Sequence, residues 1–212
     1  MDHRISRGAA SREGFVEQEF HAGRDLGSGN AMTVSTRPSD VLAFWREAGP
    51  SLWFTKDAEF DRCLRETFLD AHEAASRGDL DDWQRTAEGA LALILLLDQF
   101  PRNAFRGTAR MYASDAKAKQ IATTAIAAGH DRQIENELRT FLYMPFAHSE
   151  MLEDQERSVM LFRELDEQDL AHAQHHHDII KRFGRFPHRN VILGREMTEE
   201  EREFLDQGGF AG

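Results

Sequence analysis

The segment ALALILLL, residues 90–97, is apolar on every side of any helix it forms. A helix with a single apolar stripe can lie on a surface, but one that is apolar all round has to be enclosed. The run is about half the length of the roughly 18 residues that mark a membrane span, so the enclosing material is protein. The spacing predicts a helix over about 80–98, with Pro101 ending it because proline lacks the N–H that a helix needs. The other elements therefore have to wrap this one.

They read as helices too. From Ser39 onward apolar residues recur at helical spacing, with caps and stops between the runs. Ser39 is placed to cap a short helix carrying Val41, Leu42, Phe44 and Trp45, which Gly49-Pro50 closes. A helix over about 57–77 puts Phe60, Leu64, Phe68, Ala71 and Ala75 on one face. Further helices are predicted over about 114–129, 131–143 (stopping before Pro145), 149–165 and 168–183, and the pattern Thr198-Glu-Glu-Glu201 opens a last one as a capping box. No alternating pattern of useful length suggests a strand. About eight helices with short links imply an all-α fold of antiparallel helical hairpins, either a superhelix like that of tetratricopeptide repeats or a compact bundle.

The helical domain is expected over residues 37–212. Residues 1–36 are rich in Gly, Ser and Arg and read as a disordered tail. Met32 stands just before the first patterned segment, so the native start is expected there. With 26 basic against 37 acidic residues, the chain carries a formal charge of −11, which disfavours nucleic acid as a partner. Cys63 is the only cysteine, so neither an intramolecular disulfide nor a cysteine metal cluster can form. The absence of a signal pattern or membrane span points to the cytoplasm.

Against this acidic background KRFGRFPHRNVILGR, residues 181–195, holds five Lys or Arg and no acid. It has an echo: DQFPRNAFRG at 98–107 and GRFPHRNVILGR at 184–195 share Phe-Pro, then Arg-Asn, then a Gly beside an Arg. One reading is a repeated way of ending a helix, with Arg near the carbonyl end and Asn holding the turn. The other is a pair of neighbouring loops that pool Arg102, Asn103, Arg106, Arg182, Arg185, His188, Arg189 and Asn190 around an anion. Arginine suits that task because its planar fork gives two charge-assisted hydrogen bonds to carboxylate or phosphate.

Three residues could move protons beside such an anion. His177 aligns with the apolar face of its helix (Leu170, Ala173, Ile180) just before the basic segment, and His148 with Glu150 could form an acid/base pair. Glu150 and Ser149 also suit an ordinary helix start. His172 and His176 are four apart, but a helix-borne HxxxH alone is a weak metal signal, and no metal site or cofactor is assigned.

The segments LLLDQFPRNAFRG, FLYMPFAHSEMLEDQ and HHDIIKRFGRFPHRNVILGREMTEEEREFL resemble the bacterial family designated domain of unknown function 924, over about residues 38 to 208. The resemblance implies an all-helical fold like that of tetratricopeptide-repeat superhelices and implies no activity. Three functions stay open on the residues: capture of a small anionic ligand or acidic peptide end, catalysis on an anionic substrate (with a metal-assisted hydrolase as one form), and arginines that serve only to fasten the fold.

Overall fold

Residues 35–211 are described by a computed structural model, and all their regular structure is helical. The expected tail and the expected start at Met32 lie outside the described residues. The helices are α1 (Pro38–Ala48), α2 (Pro50–Trp53), α3 (Ala58–Arg77), α4 (Ala87–Ile94), α5 (Phe100–Ala104), α6 (Asp115–Ala127), α7 (Asn136–Ala147), α8 (Leu152–Phe162), α9 (Glu167–Phe183) and α10 (Glu199–Asp206). Of the two architectures the sequence allows, the packing is that of a bundle. Helices α1, α6 and α7 pack on α4, α3 packs on α5, and α7, α8 and α9 follow as successive neighbours.

The apolar run is enclosed as its composition demands, with every residue from Gly89 to Pro101 buried. Beside it Trp45 lies edge-on to Phe141 at 5.4 Å and tilted to Phe60 at 6.2 Å, and the Trp53 indole N–H donates to the Trp45 carbonyl at 2.7 Å. The stripe expected on α3 is buried residue for residue. Asp57 caps that helix by accepting from the Glu59 and Phe60 amides, and Gly78 closes it at φ +97°. Thr86 caps α4. A β-carbon on Gly89, one turn later, would stand 2.0 Å from the Trp83 carbonyl oxygen. Gly89→Ala is therefore expected to force the 81–85 turn off α4 and cost about 1–3 kcal/mol, read as a lower urea midpoint.

Several helix boundaries differ from expectation: α8 begins at Leu152, with Met151 rather than Ser149 at its cap while the Ser149 hydroxyl turns to Asp154, and the central helix begins at Ala87 after a 3-10 turn at Asp81–Arg85. Three more differences have a local cause. Helix α1 begins at Pro38, one residue before Ser39, because proline is pre-set for a first helical turn and Asp40 reaches back to the Arg37 amide at 2.9 Å. Pro145 sits inside the last turn of α7 rather than after it. Pro101 likewise does not end the central helix. Leu95–Gln99 wind as a π-turn and the chain continues helically through α5.

The π-turn has an identifiable cause. Pro101 offers no N–H to the Leu97 carbonyl, and the Ser114 hydroxyl donates to it instead at 2.5 Å. The Leu96 carbonyl takes His72 Nδ1–H at 2.8 Å, and the Asp98 carbonyl takes Arg102 Nη1–H at 2.5 Å. Three side chains thus satisfy the carbonyls that the altered winding frees. The same turn carries Asp98, a carboxylate with no exposed surface, into the interior.

Candidate functional site

Asp98 is the centre from which the site is built. Its Oδ1 accepts His148 Nδ1–H at 2.8 Å and its Oδ2 accepts from the Gln99 amide at 2.6 Å. Arg102 Nη1 lies 3.3 Å from Oδ1. Burial opposes ionisation of Asp98, but the charge of Arg102 and the bond from His148 outweigh it and hold the carboxyl below its usual range. His148 closes α7, where its amide donates to the Met144 carbonyl. Burial and then Arg102 depress its pKa, so its imidazole is neutral at pH 7, with Nδ1 engaged and Nε2 free of any hydrogen bond among the described residues.

Arg102 turns its other edge to Asp115 at the start of α6, with two bonds of 3.0 Å. This is the fork-to-carboxylate geometry that only arginine provides. Arg189 approaches the same carboxylate from the opposite side, its Nη1 at 3.9 Å, too far for a hydrogen bond. Its guanidinium lies over Tyr112 at 4.6 Å and over Phe186 at 4.5 Å. Arg189 is 7% exposed, and its side chain makes no hydrogen bond among the described residues, with Nε fully buried and unpartnered. Burial, and then the charge of Arg102, lower its pKa.

A histidine and aromatic wall completes the cluster. His176 stands edge-on to Phe186 at 5.4 Å, and His188 is tilted to the same ring at 5.6 Å. Phe210, beyond α10, packs on His176 at 4.7 Å and His188 at 5.1 Å. Nδ1 of both histidines is buried without a partner. Burial, followed by nearby positive groups, holds His176 near a pKa of about 3 and His188 near about 4. Glu150 braces the wall from below. It accepts the Phe186 amide at 2.9 Å and both Arg195 terminal nitrogens at 2.7 and 2.9 Å.

The structure therefore divides the residues that the sequence groups. The echoed pair Arg102 and Arg189 do meet, over Asp115 and Tyr112, with His148 and His188 beside them. Their neighbours are occupied elsewhere. Asn103 and Arg106 both bind Asp61, with Arg106 Nε at 2.5 Å. Arg182 bonds Glu200 at 2.9 Å, and Arg185 bonds the buried Glu201 at 2.5 and 2.8 Å. Asn190 is fully buried and donates weakly to Met197 Sδ at 3.4 Å. His177 pairs with Asp178 and Gln174 near the surface, and the histidine turned into the wall is His176, one position earlier. Glu150 serves Arg195 rather than His148, whose carboxylate partner is Asp98.

The echo also needs a correction, because the two segments are not equivalent loops. Residues 98–104 lie inside the continuing central helix, while 184–195 follow a left-handed Gly184 at φ +70° and form a short 3-10 turn at Pro187–Arg189. What they share is placement of an arginine one or two residues after Phe-Pro, near Asp115. Sequence reasoning missed Asp115, Tyr112 and His176 as members.

A hollow elsewhere on the molecule is already matched in charge. It measures about 270 Å³ and is lined by His72, Glu73, Arg110, Ser114 and Lys117. Arg110 pairs there with Glu73, and Lys117 with Asp81 at 2.8 Å. Among the described residues, no group of three His, Cys, Asp or Glu side chains is arranged to hold a metal ion. No described helix is long and apolar enough to cross a membrane.

No curated protein matches the chain. A solved structure, that of a protein of unknown function, ATU0120, from Agrobacterium tumefaciens, is 53% identical and superposes with a TM-score of 0.80 over 81% of this chain and 97% of its own. The segments carrying Asp98, His148 and Arg189 all fall within residues 41–209, which match the bacterial proteins of unknown function DUF924. The chain belongs to that family.

Proposed function

We propose that the chain binds a small oxyanion, a carboxylate or a phosphate group, at Arg189. One observation carries this reading: a guanidinium that is nine-tenths buried, in contact with the rings of Tyr112 and Phe186, and without one hydrogen bond among the described residues. Buried donors left unpaired cost about 1–3 kcal/mol each or more when charged, and native proteins rarely tolerate them without a ligand, ion or water. Asp115 gives both oxygens to Arg102 and stands 3.9 Å from Arg189, so it offers Arg189 charge but no hydrogen bond. The unpaired Nδ1 of His188 lies beside the same position and adds a second polar group for an incoming anion. The pairing of Arg106, Arg182 and Arg185 with the protein's own acids favours a fastening role for those three.

The test is thermal shift and titration calorimetry at low ionic strength with acetate, succinate, inorganic phosphate, and a short peptide with free or amidated C-terminus. Wild type is expected to be stabilised by at least one of these anions, by about 2.7 kcal/mol at a hundredfold excess over Kd. Arg189→Met is expected to lose that response while melting close to wild type, because the guanidinium makes no hydrogen bond for the thioether to forfeit and its nearest carboxylate stands 3.9 Å away. Indifference of the wild type to every anion, or an undiminished response in Arg189→Met, overturns the reading. Stabilisation by the free but not the amidated peptide assigns the site to a peptide end rather than a metabolite.

A further inference from the structure

The anion reading leaves the pair behind Arg189 unexplained. Asp98 and His148 have the arrangement of a general base and its orienting carboxylate. The carboxylate is fully buried, fixed at 2.8 Å to Nδ1, and steadied through its second oxygen by Gln99 at 2.6 Å. Such a bond sets the tautomer, with the proton on Nδ1 and the lone pair on Nε2. Nothing on the described chain uses that lone pair. The carboxylate is presented by a π-turn in the central helix, a winding that is rare and recurs at functional sites.

We infer that Asp98 and His148 form a general-base dyad that activates water against a carboxylate-bearing ester held by Arg189, making the site hydrolytic. This rests on the anion reading. The attacking oxygen comes from water because the neighbouring hydroxyl, Ser149 Oγ, donates to Asp154 at 2.6 Å. His148 Nε2 takes one proton of the water as its oxygen bonds to the acyl carbon. The carbon–oxygen bond to the leaving group then breaks with its electron pair, and the departing alkoxide recovers the proton from His148. Water and ester are consumed, an acid and an alcohol are formed, and the protein is unchanged.

Local charge selects the substrate. Asp98, Asp115 and Glu150 offset Arg102, Arg189 and Arg195, and the three histidines are neutral, so the site as a whole is uncharged. A singly charged carboxylate adds one unit to it, whereas a phosphate dianion adds two in a poorly solvated place. Asp98 is a positioning residue here, and His148 is the catalytic one.

The experiment compares mono-4-nitrophenyl succinate with the neutral 4-nitrophenyl acetate. Wild type is expected to hydrolyse the charged ester with the higher kcat/KM. His148→Asn, whose carboxamide N–H can still meet Asp98, is expected to retain succinate binding and melting temperature while losing about 100-fold or more in kcat at unchanged KM. Asp98→Asn is expected to lower kcat and displace the pH–rate profile, which a merely structural contact would leave in place. Wild type that binds succinate but turns over the charged ester no faster than buffer overturns the dyad and leaves the anion reading standing. Full activity in His148→Asn also overturns it. Failure of succinate to bind at all overturns the anion reading first, and the dyad with it.

Discussion

Replacing Arg102 with methionine is expected to lower stability by about 3–5 kcal/mol, because it leaves carboxylates buried without their cation. For a domain of this size that is a fall of roughly 6–20 °C in melting temperature. Arg102 is one side chain answering two acids: Asp98, which has no exposed surface, and Asp115, which receives both of its terminal nitrogens. It also satisfies the Asp98 carbonyl freed by the π-turn. Removing it therefore strands two negative groups and one backbone acceptor at once. Burial already raises the pKa of Asp115 against the pull of Arg102, and without Arg102 that burial opposes its charge with less to offset it. A second change, Asp115→Asn, should restore part of the loss, because one stranded charge is then gone. Arg106→Met makes the contrast. Its partner Asp61 keeps a bond from Asn103, and the pair is partly solvated, so about 1 kcal/mol or less is expected. Thermal melts of the four proteins decide the point. If Arg102→Met melts with wild type, the network is not what holds the π-turn in place.

The difference between those two arginines marks where the sequence was readable. Helical spacing identified the buried faces of α3 and α4 because apolar burial is periodic and local. The capping box at Thr198–Glu201 was legible for the same reason, and both of its bonds are present at 3.2 and 2.8 Å. Pairing of charges across helices is not local. Arg102 meets Asp115, 13 positions away, while Arg106, one turn further along, meets Asp61, 45 positions back. Nothing in the spacing of FPRNAFRG separates them. His177 and His176 show the limit within one element. A helix face covers about 100°, and adjacent residues can both lie near its edge: His177 is largely covered and bonds Asp178, while His176 is the one that meets Phe186. The π-turn was hidden in another way. Pro101 signals a lost hydrogen bond, but the remedy depends on Ser114 lying opposite the Leu97 carbonyl, which only the packed bundle reveals.

Acid is expected to unfold the protein well above the range in which carboxylates titrate. His176 and His188 have pKa values of about 3 and about 4 in the folded chain, against 6.5 for an exposed histidine. Burial is the main cause in both. His148, His175, Arg189 and His172 add to it around His176. Around His188, Arg189, His148 and Arg195 outweigh the opposing Glu150. A folded pKa below the unfolded one means that the unfolded chain binds more protons as pH falls, so folded stability declines on acidification. The loss begins near pH 6.5. It runs to about pH 4 for His188 and continues towards pH 3 for His176. Within that window each histidine contributes a slope of at most about 1.4 kcal/mol per pH unit, so the pair approaches about 2.7. His148 and His72 are lowered by burial as well and act in the same sense. The depressed carboxylates, Glu201 at about 2 among them, lose their contribution only at lower pH, while the raised pKa of Asp115 works the other way. Between pH 6.5 and 4.5 the histidines therefore dominate. Urea midpoints measured across that interval should fall steeply for wild type. His176→Phe and His188→Gln should each remove close to half of the slope contributed by the pair, and a pH-independent midpoint in wild type would show that these rings are solvated rather than buried against Phe186 and Phe210.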